Sequence, residues 1–196
     1  MDIVFVRHGR TRINQEGRYG GFLDTEISEE GIAEIKRIEE HLRDIEFDAV
    51  YASPLKRTVQ SAKILRSSFT VDDRLREMNF GIFEGLSYKE TLEKYPNESK
   101  CWEEDYINYC LPDGESMKQV YGRTMDFINS LDKSMKRVLV VTHGGIIGCA
   151  LSSMFNGCGD FFKFKIVHGT ATVISVSEDF SFIKGMNCTT TVKNLL

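Results

Sequence analysis

An arginine and a histidine stand side by side at Arg7-His8-Gly9, directly after the apolar run Ile3-Val4-Phe5-Val6. The run reads as a short buried strand, so a cation and a nucleophilic imidazole sit where a first strand ends. A second copy of the arrangement comes late, as Val138-Leu139-Val140-Val141 followed by Thr142-His143-Gly144-Gly145. Parallel strands of an open α/β sheet deliver their carboxyl ends to one edge, and ligand sites form there. Two histidines on that edge, one beside an arginine, point to phosphoryl chemistry. A neutral imidazole can attack phosphorus while cations hold the oxyanions.

Further residues fit the same chemistry. Arg57 falls in the first turn of the helix expected after the second strand, hence on the same edge, and its guanidinium can fork two donors onto a phosphate. Hydrogen bonds to charged groups contribute roughly 1.5–3 kcal/mol each. Helix N-termini after Gly9, Pro54 and Gly145 would add partial positive charge. Nearby arginines disfavour the imidazolium and keep the attacking ring neutral. Its other nitrogen needs a fixed acceptor, for which a backbone carbonyl near Gly9 is expected. The leaving oxygen needs a proton, and Glu77 and Glu84 bracket the segment Met78-Asn79-Phe80-Gly81-Ile82-Phe83. A carboxyl enclosed by Phe80 or Phe83 and facing the phosphate suits the acid role; either glutamate could fill it.

The elements that must position these groups alternate. Strands are expected at Asp48–Tyr51, Phe69–Val71 and Val138–Val141 besides the first, with a hairpin from Thr170 to Val176 and from Phe180 to Lys184, turning at Ser177-Glu178-Asp179. Ser28 should cap a helix with Ile32, Ile35, Ile38 and Leu42 on its apolar face. Ser53 should cap the next, with Pro54 at its first position and Leu55, Val59, Ala62 and Leu65 as its stripe. A further helix presents Met117, Val120, Thr124, Phe127 and Leu131, and another runs from Ile146 to Phe155. Residues 87–110, interrupted by Pro96, read as an insert of short helices beside the sheet. Such alternation predicts a three-layer α/β/α sandwich with a mostly parallel central sheet, in a single domain spanning residues 1–196.

Composition narrows the class. A chain of 196 residues with 41% hydrophobic content can bury a substantial core. Its net charge of -4 argues against broad binding of nucleic acid or anionic membranes. No stretch approaches the roughly 20 apolar residues of a membrane span, and the N-terminus has no signal-peptide pattern. The five cysteines are odd in number and include no C-x-x-C, which fits reduced thiols in a cytoplasmic protein. The expected partner is a small-molecule phosphomonoester, with self-association left open.

The motifs, taken in order, resemble the histidine phosphatase superfamily, the phosphoglycerate-mutase-like proteins. Arg7-His8-Gly9-Arg10-Thr11-Arg12-Ile13-Asn14 is similar to that family's R-H-G-x-T-x-x-N. Asp24 to Gly31, Ser53 to Thr58, Leu75 to Gly85, Gly114-Glu115-Ser116 and Thr142 to Gly145 follow in family order. The resemblance implies a central sheet of about six strands and no metal or other cofactor. It also implies roles: His8 as the residue phosphorylated, Arg7, Arg57 and His143 as holders of the phosphoryl group, Asn14 in the pocket, and Glu77 as proton donor. Water would then remove the phosphoryl group from His8.

Three departures bear on substrate rather than chemistry. Arg10 replaces the frequent glutamate or glutamine and should add positive charge near the entrance; Glu26 replaces proline; Phe83 replaces tryptophan. Chain length and Gly145, where mutases of the family carry asparagine, favour a phosphatase. The layout from Cys101 to Asp105 and from Leu111 to Ser116 resembles the α-ribazole-5′-phosphate phosphatases of cobalamin nucleotide-loop assembly. Broad-specificity and sugar-bisphosphate phosphatases share much of it. Phe22, Trp102, Tyr106 and Tyr109 could wall the site with aromatic rings, with Phe22, Trp102 and Gly144 contacting substrate, or could simply pack the insert. Other classes fit less well. His143-Gly144-Gly145-Ile146-Ile147-Gly148 lacks the order of a dinucleotide turn. A phosphate-binding module without catalysis would not need both His8 and an acid. Arg7 beside His8 would repel a metal ion.

Overall fold

The computed structural model describes residues 1–177 and 179–196. Its frame is a six-stranded sheet: β1 (Asp2–Arg7), β2 (Ala49–Ala52), β3 (Thr70–Val71), β4 (Arg137–Thr142), β5 (Ala171–Val176) and β6 (Ser181–Cys188). The spatial order is β3-β2-β4-β1-β5-β6. Strands β1 to β4 run parallel, whereas β5 is antiparallel to both β1 and β6. The turn expected at Ser177-Glu178-Asp179 includes Glu178, which lies outside the described residues.

Side-chain alternation along the strands assigns the two faces. Ile3, Phe5, Val138 and Val140 join one buried cluster; Val4, Val6, Leu139 and Val141 join the other. The first is covered by α6 (Met117–Ser130) and α7 (Gly144–Ser152), through residues such as Val120, Phe127, Ile146 and Ile147. The second is covered by α2 (Glu29–Leu42) and α3 (Lys56–Leu65), through Ile35, Ile38, Leu42, Ala62 and Leu65. This is the three-layer arrangement expected from the alternating pattern. The four-residue α1 (Arg12–Gln15) follows the first strand, and α4 (Tyr88–Lys94) and α5 (Pro96–Glu104) fall within residues 87–110.

Local signals hold at most helix starts. Ser28 accepts the Gly31 N–H, and Ser87 and Ser116 each close a reciprocal capping box. The start of α3 differs from expectation. Leu55 occupies the capping position without a side-chain bond, and Pro54 stays outside the helix. The Ser53 hydroxyl instead lies 2.8 Å from His143 Nε2. Ser53 Oγ keeps only a long 3.4 Å bond from the Leu55 N–H and meets the buried imidazole, which would be costly to leave without a partner. The Ser28 helix also sits unusually close to the first loop. A Cβ on either Gly9 or Gly31 would strike the backbone of the opposing segment.

Candidate active site

Pairing of β1 with β4 in the register Arg7↔Thr142 places the residues after each strand side by side. His8 and His143 are buried, at 2% and 0% exposure, with ring centroids 5.1 Å apart. His8 Nδ1 lies 2.7 Å from the Gly9 carbonyl. A carbonyl only accepts, so Nδ1 carries the ring proton and the neutral ring keeps its lone pair on Nε2. The acceptor expected near Gly9 is therefore present.

A cavity of about 190 Å³ is lined by Arg7, His8, Asn14, Arg57, Glu77 and Phe80, among others. The Arg57 guanidinium is 3% exposed and donates to the carbonyls of Leu23 and Gly21, at 2.7 and 2.6 Å. These bonds occupy two of its five N–H groups. Asn14 accepts from the Thr11 N–H and hydroxyl through Oδ1, so its carboxamide nitrogen is the end available to a ligand. Arg7 donates to the Ile166 carbonyl. His143 is not among the lining residues. Of the seven buried side-chain atoms that find no partner among the described residues, three cluster here: Arg7 Nε, His143 Nδ1 and His168 Nε2. All three belong to residues in or against the His8 pocket, and an anion's oxygens could satisfy such orphaned groups.

The two candidate acids separate clearly. Glu84 accepts the N–H groups of Phe22, Leu23 and Phe80, and so serves as an anchor for the 20–23 loop. Glu77 lines the cavity. Its Oε1 accepts from Met78 and Gly145, while Oε2 accepts only the longer 3.3 Å bond from Gly145. A Cβ on Gly145 would collide with Glu77 Oε1, so a glycine there leaves room for the carboxyl. This modifies the expected role of the α7 terminus, because its Gly145 N–H is committed to Glu77. The helix expected after Gly9 is only the single turn α1, beginning at Arg12.

Other expectations change. Arg10 does not present free charge at the entrance: it pairs with Glu34 at 2.9 Å and Glu30 at 3.4 Å. Phe22 lies under the Arg76 guanidinium, 5.4 Å from its ring, and is not a lining residue of the phosphate-sized cavity. Gly144 abuts Arg7, where a Cβ would approach its Cζ to 3.1 Å. Trp102 packs at right angles on Tyr19, Phe80 and Phe83. Tyr106 instead meets Phe162, with centroids 4.7 Å apart.

His168 escaped the sequence reading. Its ring lies edge-on to His8, with centroids 5.4 Å apart. The signal appears only once the direction of β5 is known. Residues that precede an antiparallel strand reach the same edge as residues that follow a parallel one, and His168 precedes β5.

Burial, followed by the charge of Arg57, holds both His8 and His143 well below the usual histidine range; Arg7 and a neighbouring histidine push each further down. His168 is pushed down to about 3 by burial and by Arg7, Arg10 and Arg57. All three rings are therefore neutral in the native protein at neutral pH. In the unfolded chain each takes up a proton near about pH 6.5. Below that pH the unfolded state binds more protons, so stability must fall with acidification. Thermal melting is expected to give a lower midpoint at about pH 5 than at about pH 7.5, with a smaller drop in His168→Gln. An unchanged or higher midpoint at the acidic pH would contradict neutral burial of these rings.

The sequence model of the "Histidine phosphatase superfamily (branch 1)" matches residues 3–189. The chain belongs to this superfamily and is a phosphatase of that class. It is similar to "Phosphoserine phosphatase 1" of Hydrogenobacter thermophilus, with 30% identity over 96% of this chain and 93% of the relative. It is also similar to "Adenosylcobalamin/alpha-ribazole phosphatase" of Salmonella typhimurium, with 27% identity over 95% and 96%. Among solved structures, a putative α-ribazole-5′-P phosphatase from Escherichia coli superposes with a TM-score of 0.90 at 23% identity, covering 96% of both chains. That likeness concerns the fold.

Proposed function

We propose that the protein hydrolyses a phosphomonoester through a phosphohistidine on His8, and that its substrate is an alkyl phosphate whose alcohol portion carries an apolar heteroaromatic ring, as α-ribazole 5′-phosphate does. The convergence of His8, Arg7, Arg57 and Glu77 on one phosphate-sized cavity carries the reaction class. In the first step His8 Nε2 attacks phosphorus. The bond to the leaving oxygen breaks, its electron pair stays on that oxygen, and Glu77 supplies the proton. In the second step Glu77 takes a proton from water as the water oxygen attacks phosphorus. The N–P bond breaks and its electrons return to Nε2. Arg7 and Arg57 hold the phosphoryl oxygens throughout, and His143 packs against His8 with ring centroids 5.1 Å apart.

The leaving-group side supports the substrate. A second cavity, of about 310 Å³, shares Tyr19, Glu77 and Phe80 with the first and continues past Trp102, Met117 and Phe162. Glu77 is the only Asp, Glu, Lys or Arg among its lining residues. An aromatic base can pack there, and the buried Trp102 Nε1, without a partner among the described residues, can donate to a ring nitrogen. Similarity to the Hydrogenobacter protein favours a second reading, phosphoserine. The amino-acid carboxylate would need a cation on this side; apart from Arg7 and Arg57, the cation lining the adjoining cavity is Arg18, which is already paired with Glu90 and Glu16.

A comparison of kcat/KM for α-ribazole 5′-phosphate, O-phosphoserine, 3-phosphoglycerate, fructose bisphosphates and an aryl phosphate separates these readings. A preference of about a hundredfold for the first over phosphoserine is expected. A preference for phosphoserine would overturn the substrate assignment and leave the chemistry standing.

A further inference from the structure

Arg123 lies on α6, away from the cavity, and its side chain is 17% exposed. Its guanidinium makes five hydrogen bonds. Nε and Nη2 fork onto the two oxygens of Glu115 at 3.0 and 2.9 Å. Nη1 donates to the carbonyls of Arg74 and Arg76, and Nη2 donates to the carbonyl of Glu77 at 2.9 Å. A guanidinium has five N–H donors, so every one is occupied by the protein and none remains for a ligand.

Glu115 completes the grip. Its Oε2 accepts the Asn79 N–H at 2.9 Å, and its own N–H donates to the Asn79 carbonyl at 2.9 Å. One residue in this stretch is held from another side: the Thr142 hydroxyl donates to the Leu75 carbonyl at 2.8 Å, immediately before His143. The backbone from Arg74 to Asn79 therefore has fixed partners on both sides of Glu77. This segment has no regular helix or strand of its own from Arg76 to Phe80. Among the described residues, no donor other than Arg123 reaches the carbonyls of Arg74, Arg76 and Glu77.

We infer that Arg123 and Glu115 are positioning residues for the proton-transfer step: they fix the backbone that carries Glu77, and so set the distance between its carboxyl and the departing oxygen. The inference rests on Glu77 being the acid. It differs from a general structural role in its consequence. A misplaced acid slows only reactions that need its proton, whereas a loosened fold slows all of them. Misplacement by about 1 Å from a remote substitution can cost on the order of 100-fold.

The test compares wild type, Glu77→Gln, Arg123→Lys and Glu115→Gln on an alkyl phosphate, phenyl phosphate and p-nitrophenyl phosphate, with thermal melting of each variant. Arg123→Lys keeps the charge and loses the fork. It is expected to lose about 10–100-fold in kcat/KM on the alkyl ester, and about twofold or less on p-nitrophenyl phosphate. Glu115→Gln should show the same pattern more mildly, and it carries the test if Arg123→Lys does not fold. Equal losses on all three esters in these variants, while Glu77→Gln discriminates between them, would overturn the inference and leave the acid assignment intact. Equal losses in Glu77→Gln itself would remove the acid assignment, and the inference with it.

Discussion

His8→Ala is expected to lower turnover by at least about 10⁴-fold while leaving inorganic phosphate binding largely in place. The reason is geometric. The Gly9 carbonyl fixes the ring proton on Nδ1, and burial with Arg57 and Arg7 keeps the ring neutral, so Nε2 alone offers a lone pair at the phosphate cavity. The neighbouring histidines are poor substitutes. His143 has Nε2 committed to Ser53 and is not a lining residue of the cavity. Arg7 and Arg57 remain to hold the anion, which separates loss of the nucleophile from loss of the site. Single-turnover kinetics and phosphate titration of the same variant measure the two quantities. Retained turnover, or equal loss of binding and turnover, would argue against a covalent role.

Glu77→Gln should cost about 10²–10⁴-fold on an alkyl phosphate, the usual contribution of a positioned acid. Glutamine keeps an oxygen able to accept the Met78 and Gly145 N–H groups that hold the side chain. The substitution therefore removes the proton with little change of shape. A p-nitrophenolate leaving group departs without protonation, so most of the lost rate should return on p-nitrophenyl phosphate. Glu84 is the poorer candidate, since it accepts three backbone N–H groups and does not line the cavity. Equal losses on good and poor leaving groups would require another proton source.

Much of this site is legible in the residues because it depends on sheet direction alone. Two apolar runs, each followed by a His-Gly pair, meet once β1 and β4 pair in parallel, and Arg57 follows from the next strand over. Periodicity also separates the faces, since Ile3 and Phe5 must oppose Val4 and Val6. What stays hidden are choices decided by tertiary hydrogen bonds. Ser53 is a plausible cap in sequence, but a buried imidazole recruits its hydroxyl. Glu77 and Glu84 look equivalent until the fold sets Glu77 in the cavity wall and turns Glu84 onto the amides of the 20–23 loop. Arg10 resembles an added charge until Glu34 and Glu30 neutralise it. His168 depends on β5 running against its neighbour, a direction that an apolar run does not encode. Arg123 carries no local sign of the four separate backbone and side-chain partners that it holds.

The most direct measurement is capture of the covalent intermediate. Wild-type enzyme is mixed with a ³²P-labelled phosphomonoester, quenched in alkali during turnover, and digested for peptide mapping. A base-stable, acid-labile phosphoryl group is expected on the peptide containing His8, at Nε2, disappearing at the rate of product release. Label on His143 or His168 would contradict it, as would turnover that proceeds by direct attack of water with no labelled histidine.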